Sequence, residues 1–378
     1  MVLGAEQRIG SKEEQVKLFE PVTFRNLSLR NRIVWLPMVS WLGTEDGFVT
    51  DAVVERYRRR AEGGAGMVVV EATGVIPRKS PMLLRIYDDK YIPGLARLVD
   101  AVHKEGAKVS IQLIHFLRQS RSGYKEQPED LSVDDIHQVV EDFVNAAARA
   151  KKAGFDAVEL HLAHSYTLCS FISLLNKRQD EYGKSIAGRV RIVSEIMHGC
   201  REVLGRDYTI GCRFNAEDFV VGGNTLKQTR VIAKMLAEMG IDYINGSAGG
   251  KTEDGAWYTG YSSTRSMPPD YAPEAVNVYL FADLRQIVKP YGVPFIVAGR
   301  IPTAELAESL LQEDKADLIG LARPLLCDPD WPKKYMEGRP KDILKCIYCN
   351  ECLDRDRRFE PVECTTAEKA AAKKAAAR

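Results

Sequence analysis

The feature that most constrains the fold is a repeated alternation of short β-rich runs with helical patterns, between about residue 30 and residue 325. Several runs are apolar at every position, and such runs are typical of parallel strands buried between helices. The predicted strands are Ile33–Leu36, Met67–Ala72, Val109–Leu113, Ala157–Leu162, Thr209–Phe214, Tyr243–Ser247, Phe295–Ala298 and Leu318–Ala322. The amphipathic stretches between them include Ile136–Ala153, Arg189–Leu204, Leu226–Met239 and Glu274–Val288.

Eight strands that alternate with helices predict an α/β fold, a (β/α)8 TIM barrel. The rival is a doubly wound dinucleotide-binding fold, which needs a GxGxxG turn that the 378 residues do not contain. The alternating run Leu18–Arg30 predicts a short hairpin before the first barrel strand. The chain therefore divides into an N-terminal segment with hairpin (1–30), a barrel (31–340), a cysteine-rich segment (341–365) and a low-complexity tail (366–378). We expect the tail to be frayed or disordered.

Charge and hydropathy narrow the classes of partner. Lys and Arg number 53 against 52 Asp and Glu, and a net charge of +1 gives no strong field for nucleic acid or an anionic membrane. No apolar run reaches the ~18 residues that a membrane helix needs, and the first residues lack the apolar centre of a secretory signal. We therefore expect a cytoplasmic protein with a small-molecule substrate, and we expect it to form a homo-oligomer.

The cysteines fall into two groups. Four lie among apolar neighbours and are expected to be inert core thiols, namely Cys169, Cys200, Cys212 and Cys327. The other four are Cys346, Cys349, Cys352 and Cys364. Three cysteines at three-residue spacings with a fourth further on are typical of [4Fe–4S] ligation. A zinc site, which usually has two separated CxxC pairs, and unliganded thiols are the alternatives.

Chemistry in a TIM barrel takes place at the C-terminal ends of the strands. His161 and His164 follow the fourth predicted strand at i and i+3, with Tyr166 close behind. The pair is interpreted as a set of donors to a substrate oxygen, as half of a zinc site, or as structural histidines. Tyr166 is interpreted as a general acid or as an aromatic that packs under a loop.

Other polar residues at strand ends suit a planar cofactor. Gln112 is suited to the pyrimidine edge of a flavin, and Arg213 to the region near N1 and O2, where negative charge develops on reduction. Ion pairing of Arg213 with Glu217 or Asp218 is the alternative. Glycines that stand beside arginines after the last two strands match the phosphate site that barrels often build there.

Several motifs, in order along nearly the whole chain, resemble one known family. They are LFEPVTFRNLSLRNRIVWLPM, VVVEATGVIPR, IYDDKYIPGL, QLIHFLRQ, GFDAVELHLAHSY, NKRQDEYGKS, VAGRIPT, IGLARPLLCDP and CIYCNEC. The chain resembles the Old Yellow Enzyme, or NADH:flavin oxidoreductase, family. The resemblance is to its iron–sulfur branch, which contains 2,4-dienoyl-CoA reductase and trimethylamine dehydrogenase.

The resemblance implies FMN at the barrel mouth and a role for each matching residue. Residues that flank the flavin ring or address its polar edge would be Pro37, Met38, the Ala72 backbone, Gln112 and Arg213. Segments around Gly299, Arg300, Ala322 and Arg323 would hold the phosphate. His161 and His164 would anchor the activating group of the substrate, and Tyr166 would protonate its α-carbon. The implied activity is the reduction of an activated C=C bond in an enoate, enone or enoyl-CoA ester.

The chain departs from the family pattern in places. Val39 stands where relatives have a Thr or a flavin-bonding Cys, so the FMN is expected to be non-covalent. The usual His-Ala-Gly-Arg run reads His115-Phe116-Leu117-Arg118, which narrows that side of the pocket. The loop after the sixth strand lacks the second catalytic histidine of the dienoyl-CoA enzyme, and Trp257 and Tyr258 are expected to form an aromatic wall there.

The source of electrons stays open at this stage. The multidomain relatives continue into FAD- and NAD-binding domains, whereas this chain stops shortly after Cys364. Either NAD(P)H binds over the flavin or an electron-donor partner protein supplies the electrons. An amine dehydrogenase is the second hypothesis, because the spacing Cys346-x2-Cys349-x2-Cys352 resembles that of trimethylamine dehydrogenase. An electron-transfer subunit is the third.

Overall fold

The computed structural model describes residues 16–77, 82–118, 126–251 and 261–376. The strands are β1 (Val22–Phe24), β2 (Leu27–Leu29), β3 (Ile33–Trp35), β4 (Met67–Gly74), β5 (Lys108–Ile114), β6 (Ala157–Leu162), β7 (Thr209–Asn215), β8 (Tyr243–Ser247), β9 (Phe295–Val297) and β10 (Leu318–Leu321). The helices are α1 (Asp51–Glu62), α2 (Ile92–Lys104), α3 (Val133–Lys152), α4 (Thr167–Ile172), α5 (Ile186–Leu204), α6 (Leu226–Glu238), α7 (Tyr261–Ser266), α8 (Val278–Val288), α9 (Ala304–Gln312), α10 (Arg323–Cys327), α11 (Trp331–Met336), α12 (Glu351–Arg357) and α13 (Thr365–Ala376).

The described strands β3 to β10 form a closed parallel barrel in the order β10-β3-β4-β5-β6-β7-β8-β9. Each predicted strand coincides with one of these, and their ends agree within two residues. Sequence neighbours are neighbours in the barrel, and helices connect them, as in a TIM barrel. The predicted fold class is confirmed.

Helix α3 shows how the local sequence sets the boundaries of an element. Ser132 accepts a hydrogen bond from the Asp135 amide at 3.1 Å, and the Asp135 carboxylate accepts one from the Ser132 amide at 2.9 Å. This capping box starts the helix three residues before the predicted Ile136. The buried face contains Val139 and Phe143, which places the helix on the barrel wall.

The predicted hairpin closes the N-terminal end of the barrel. Strands β1 and β2 pair antiparallel, and Leu27 and Leu29 are buried in one apolar cluster with Met67 and Val69 from the start of β4. A ligand must therefore enter at the opposite end, where the strands finish. We call the C-terminal ends of the barrel strands the mouth. Within the described ranges, no helix is both long enough and apolar enough to span a bilayer.

The cysteine-rich segment packs against the beginning of the barrel. Trp41, in the loop after β3, donates from Nε1 to Asp356 Oδ1 at 2.8 Å. Arg56 of α1 donates from Nη1 to the Val362 carbonyl at 2.8 Å. These contacts join a small apolar cluster whose buried members are Trp41, Leu83, Leu326, Cys352 and Val362.

The tail differs from the expectation of a frayed or disordered segment. Residues Thr365–Ala376 form helix α13, and Glu368 accepts a 2.7 Å hydrogen bond from Arg355 of α12. None of the described residues of α13 is buried. The high helix propensity of Ala and Lys, together with this ion pair, accounts for the helix without an apolar face.

Candidate active site

The residues predicted to flank a flavin ring lie together at the mouth. Pro37 and Met38 follow β3 directly, and both are half-buried. Ala72 lies in β4 where the pairing register with β5 shifts between Val70 and Thr73. Such an irregularity re-aims the local backbone. The structure therefore gathers these positions at one end of the barrel, as the sequence predicts.

A buried polar network crosses the barrel at β5, β6 and β8. Gln112 donates to Glu159 Oε1 at 2.7 Å, and Asn245 donates to Glu159 Oε2 at 3.0 Å. Burial raises the pKa of the Glu159 carboxyl, while the nearby Arg213 guanidinium opposes that rise. Glu159 thus fixes the orientation of the Gln112 amide, a role that the sequence did not indicate.

Arg213 brings a positive charge to the mouth; the residue is half-buried, and its Nε and Nη1 atoms are buried. Burial lowers the pKa of its guanidinium, and its ionic interaction is with Glu159 rather than with the alternatives Glu217 or Asp218. Among the described residues, its Nε and Nη1 have no hydrogen-bond partner, and Nη2 reaches Ser247 Oγ at 3.5 Å. Unsatisfied buried donors on a cation are costly, so this geometry indicates a polar or anionic ligand beside Arg213.

His161, His164 and Tyr166 form a compact group next to Arg213. The His161 ring centroid lies 5.1 Å from that of His164 and 4.9 Å from that of Tyr166. His164 and Ser165 both have left-handed backbone conformations, with φ of 60° and 62°. Non-glycine residues adopt such angles at a cost and often at functional sites. The turn after β6 therefore directs three hydrogen-bonding side chains into one place.

Both histidines are held in the neutral state. Burial lowers the pKa of His161 and of His164 well below the usual value, and the positive charge of Arg213 lowers each further. Burial also raises the pKa of Tyr166, so its phenol stays protonated. The group therefore offers neutral N–H and O–H donors and not a charged acid.

Two residues that the sequence analysis passed over touch this group. Ser247, the last residue of β8, places its Oγ 2.5 Å from His164 Nε2. Lys251 lies further along the same connection, and its Nζ lies 4.5 Å above the centre of the Tyr166 ring. Both follow a strand distant in sequence from β6, so only barrel closure reveals their proximity. Trp257 and Tyr258, expected to wall this loop, lie outside the described residues.

The His115-Phe116 departure lies beside the same group. The Phe116 ring centroid is 6.4 Å from that of Tyr166. His115 Nδ1 lies 2.8 Å from Thr167 Oγ1, which ties the end of β5 to the start of α4. The bulkier side chain thus lies near the proposed proton donor, where the sequence predicts a narrowed pocket.

The two predicted phosphate-binding segments come together after β9 and β10. Gly299 and Arg300 have positive φ of 107° and 59°, and Arg300 Nε is buried without a partner among the described residues. Arg323, which follows Ala322, is buried and donates to the Pro268 carbonyl at 2.9 Å. The structure therefore brings Arg300 and Arg323 together, since both guanidinium groups lie close to the ring of Tyr348.

The four clustered cysteines lie close enough for their charges to shift one another's pKa. Burial raises the pKa of Cys352 to about 12; Arg323 opposes this rise, while the negative charges of Cys346, Cys364 and Cys349 add to it. In the described part of the chain, no group of three or more His, Cys, Asp or Glu side chains has the arrangement of a metal site. Neither the iron–sulfur nor the zinc interpretation is therefore settled by geometry.

Cys327 differs from the other cysteines predicted to be inert. It is buried, as are Cys169, Cys200 and Cys212. Its side chain nevertheless shares a hydrogen bond with Cys364, and this bond lowers the pKa of Cys364 to about 6. A fifth cysteine therefore adjoins the predicted ligand set, which the motif spacing alone could not show.

A (β/α)8 barrel whose mouth holds an unsatisfied guanidinium and paired neutral histidines has the fold and the site position of a barrel enzyme. The NADH:flavin oxidoreductase / NADH oxidase family model matches residues 17–342. The chain belongs to this family of flavin-dependent oxidoreductases, and the resemblance seen in its motifs is confirmed.

Individual relatives narrow the comparison. An NADH oxidase of Thermoanaerobacter brockii is 38% identical over 88% of this chain and 52% of the relative. An NADPH dehydrogenase of Geobacillus thermodenitrificans is 36% identical over 83% of this chain and 92% of the relative. The solved complex of 2-naphthoyl-CoA reductase with 2-naphthoyl-CoA has a TM-score of 0.83 at 25% identity and covers 93% of this chain and 56% of that one. The chain thus spans about half the length of the first and third of these proteins.

Proposed function

We propose that the protein binds FMN non-covalently and reduces an activated C=C bond in a small molecule of the enoate, enone or enoyl-CoA class. The observation that carries the proposal is the buried Arg213 guanidinium, two of whose nitrogens lack partners among the described residues. It stands beside two neutral histidines and a protonated tyrosine. This set suits a ligand that gains negative charge and a substrate that must be both polarised and protonated.

The residues present fit FMN. Arg213 and the oriented Gln112 would address the polar edge of the ring, with Pro37, Met38 and Ala72 beside the ring. Gly299, Arg300, Ala322 and Arg323 would hold the phosphate. Held by these residues, FMN would supply the hydride chemistry that the reduction needs. Val39 offers no nucleophile for a covalent bond to the flavin.

The side chains of the chain perform the remaining chemistry. His161 and His164 would donate hydrogen bonds to the carbonyl oxygen of the substrate, because each is neutral and retains an N–H. Negative charge that develops on this oxygen is stabilised by such donors in a site that excludes water. Tyr166 would deliver a proton to the α-carbon, and Lys251 beside its ring would stabilise the phenolate that remains.

We also propose that Cys346, Cys349, Cys352 and Cys364 ligate a [4Fe–4S] cluster. The donor set consists of thiols only, which suits iron–sulfur clusters. A single zinc ion, with Zn–S bonds of ~2.3 Å, would draw four sulfurs into one tight tetrahedron. Three cysteines at three-residue spacings with a fourth further on have the spacing typical of cluster ligation, whereas zinc sites usually have two separated CxxC pairs.

NAD(P)H is the proposed source of electrons. This chain covers 92% of the length of a relative named NADPH dehydrogenase. A protein not much longer than the barrel therefore carries that name. An electron-donor partner protein, acting through the cluster, is the alternative.

An anaerobic absorbance spectrum recorded during NADH titration tests the proposal. The proposal would be supported by flavin bands over a broad iron–sulfur shoulder. These bands should bleach when NADH is added and return when an enoate or enoyl-CoA ester reoxidises the flavin. Bleaching by dithionite but not by NADH would assign the electron supply to a partner protein. Flavin reduction by trimethylamine, with no reoxidation by alkenes, would replace the proposal with an amine dehydrogenase. A protein that binds no flavin would overturn it.

A further inference from the structure

Tyr348 has a backbone conformation that its side chain disfavours. It lies between Cys346 and Cys349 with φ of 55°, in the left-handed region. Glycine is the residue that this region favours, and a bulky aromatic residue there is an outlier. Its presence indicates that the ring makes interactions that offset this cost.

The Tyr348 ring lies close to two cations. Its centroid is 4.7 Å from Arg323 Cζ and 5.1 Å from Arg300 Cζ. These arginines belong to the two segments that follow β10 and β9, which are the proposed phosphate-binding segments. Tyr348 belongs to the cysteine-rich segment, and its ring brings this segment to the mouth of the barrel.

The Tyr348 hydroxyl is buried and unsatisfied. The residue is 4% exposed, and its hydroxyl has no hydrogen-bond partner among the described residues. Arg300 Nε nearby is also a buried donor without a partner in this part of the chain. Buried polar atoms are almost always hydrogen-bonded in proteins. Two unsatisfied donors, one on the Tyr348 ring and one on a guanidinium group next to that ring, indicate an acceptor ligand with several oxygens.

We propose that the Tyr348 hydroxyl donates a hydrogen bond to the phosphate of bound FMN. The inference rests on the proposed function only in taking FMN as the cofactor. A phenol O–H group donates to a phosphate oxygen without adding charge. The flanking guanidinium groups of Arg300 and Arg323 attract the same anion. The cysteine-rich segment therefore supplies part of the flavin site.

Flavin binding to the full-length chain tests this inference. Bound flavin is removed, and the affinities for FMN and for riboflavin, which lacks the phosphate, are measured from flavin fluorescence. Tyr348→Phe removes only the hydroxyl. Tyr208→Phe is the matched control, because Tyr208 is also a buried tyrosine but bonds to the Phe155 carbonyl at 2.7 Å, beside the start of β7.

A hydrogen bond to a charged group predicts a loss of FMN affinity of about 10- to 100-fold in Tyr348→Phe, with riboflavin affinity unchanged. Unchanged FMN affinity would overturn the inference. Equal weakening of FMN and riboflavin would also overturn it, because the ring would then act only by packing. If Tyr348→Phe shows the phosphate-specific loss but the wild-type chain reduces no alkene, the proposed reaction is refuted and this inference stands.

Discussion

The rings of His161 and His164 stand edge to face, with their centroids 5.1 Å apart at the end of β6. Two imidazoles that lie this close together can be buried only if both stay neutral. A charged imidazole would be poorly solvated there, and two charged imidazoles would repel each other. Burial and the Arg213 cation lower the pKa of each histidine. The pair is therefore suited to hydrogen-bond donation over the whole physiological pH range.

Replacing His161 should separate cofactor binding from turnover. In His161→Ala we expect the flavin spectrum to persist and the rate of alkene reduction to fall ~10²–10³-fold, as is typical when one donor to a developing oxyanion is lost. His198→Ala is the control, because His198 is exposed on α5 and pairs only with Glu202. Steady-state kinetics with one enoate substrate measure the effect. Full activity in His161→Ala would remove the assignment.

Tyr166→Phe should divide the two half-reactions. Flavin reduction by NADH needs no proton from Tyr166 and should proceed at the wild-type rate. Reoxidation by the alkene should slow ~10²–10⁴-fold, the range for loss of a general acid. Stopped-flow absorbance resolves the two steps, and Tyr261→Phe, at an exposed position on α7, serves as the comparison. If reoxidation keeps its rate, another group donates the proton.

The buried neutral histidines make stability depend on pH. Below ~6.5, the unfolded chain binds protons at these positions that the folded chain does not bind. The free energy of unfolding should therefore fall as the pH drops through that value. Between pH 7 and pH 5.5, one such histidine contributes a loss of about 1 kcal/mol.

Urea unfolding of the flavin-free chain checks this dependence. His164→Asn should lose less stability than wild type over the same pH interval, by about 1 kcal/mol. Carboxyls with raised pKa, such as Glu159, have the opposite slope but are common to both proteins. Equal pH slopes would show that His164 is protonated in the folded state or exposed to solvent.

Arg213→Met should weaken flavin binding and disfavour the reduced flavin. Loss of a charge-assisted donor should lower FMN affinity about 10-fold or more and shift the midpoint potential of the flavin to more negative values. Arg191→Met is the matched control, because Arg191 is exposed and pairs with Glu195 at 2.9 Å. Spectroelectrochemical titration measures the potential. A potential equal to that of wild type would place Arg213 away from the ring.

Cys352→Ser should remove the iron while the FMN remains. The wild-type chain should contain roughly four iron atoms and the variant far fewer, because one thiolate ligand is lost. Cys200→Ala, which alters a buried thiol on α5, should leave the iron content unchanged. Iron and flavin are assayed on the same samples. Zinc in place of iron in the wild-type protein would contradict the cluster assignment.

The strands of the barrel could be predicted from the sequence because several are wholly apolar runs and the others are short β-rich runs between helical patterns. Side chains near the C-terminal end of each strand reach the mouth. On this basis Gln112, His161 and Arg213 were correctly placed near strand ends. The tail is a helix over Thr365–Ala376, as its Ala- and Lys-rich composition favours, and the expectation that it would be frayed did not include the ion pair from Arg355.

Contacts between distant segments could not be predicted. Ser247 and Lys251 meet His164 and Tyr166 only because β6 and β8 flank β7 in the closed barrel. The proximity of Cys327 to Cys364 likewise depends on how the last segment folds back. No motif spacing predicts either contact, because the path of the intervening loops determines which residues meet.

The hydrogen bonds from Trp41 to Asp356 and from Arg56 to Val362 bear on how the chain would respond to truncation. Deletion of everything after residue 340 would uncover Trp41 and Leu83 and would remove Tyr348 from the mouth. The cysteine-rich segment is therefore part of the packing of the barrel, and the truncated chain is expected to expose apolar surface and to aggregate more readily than the full chain.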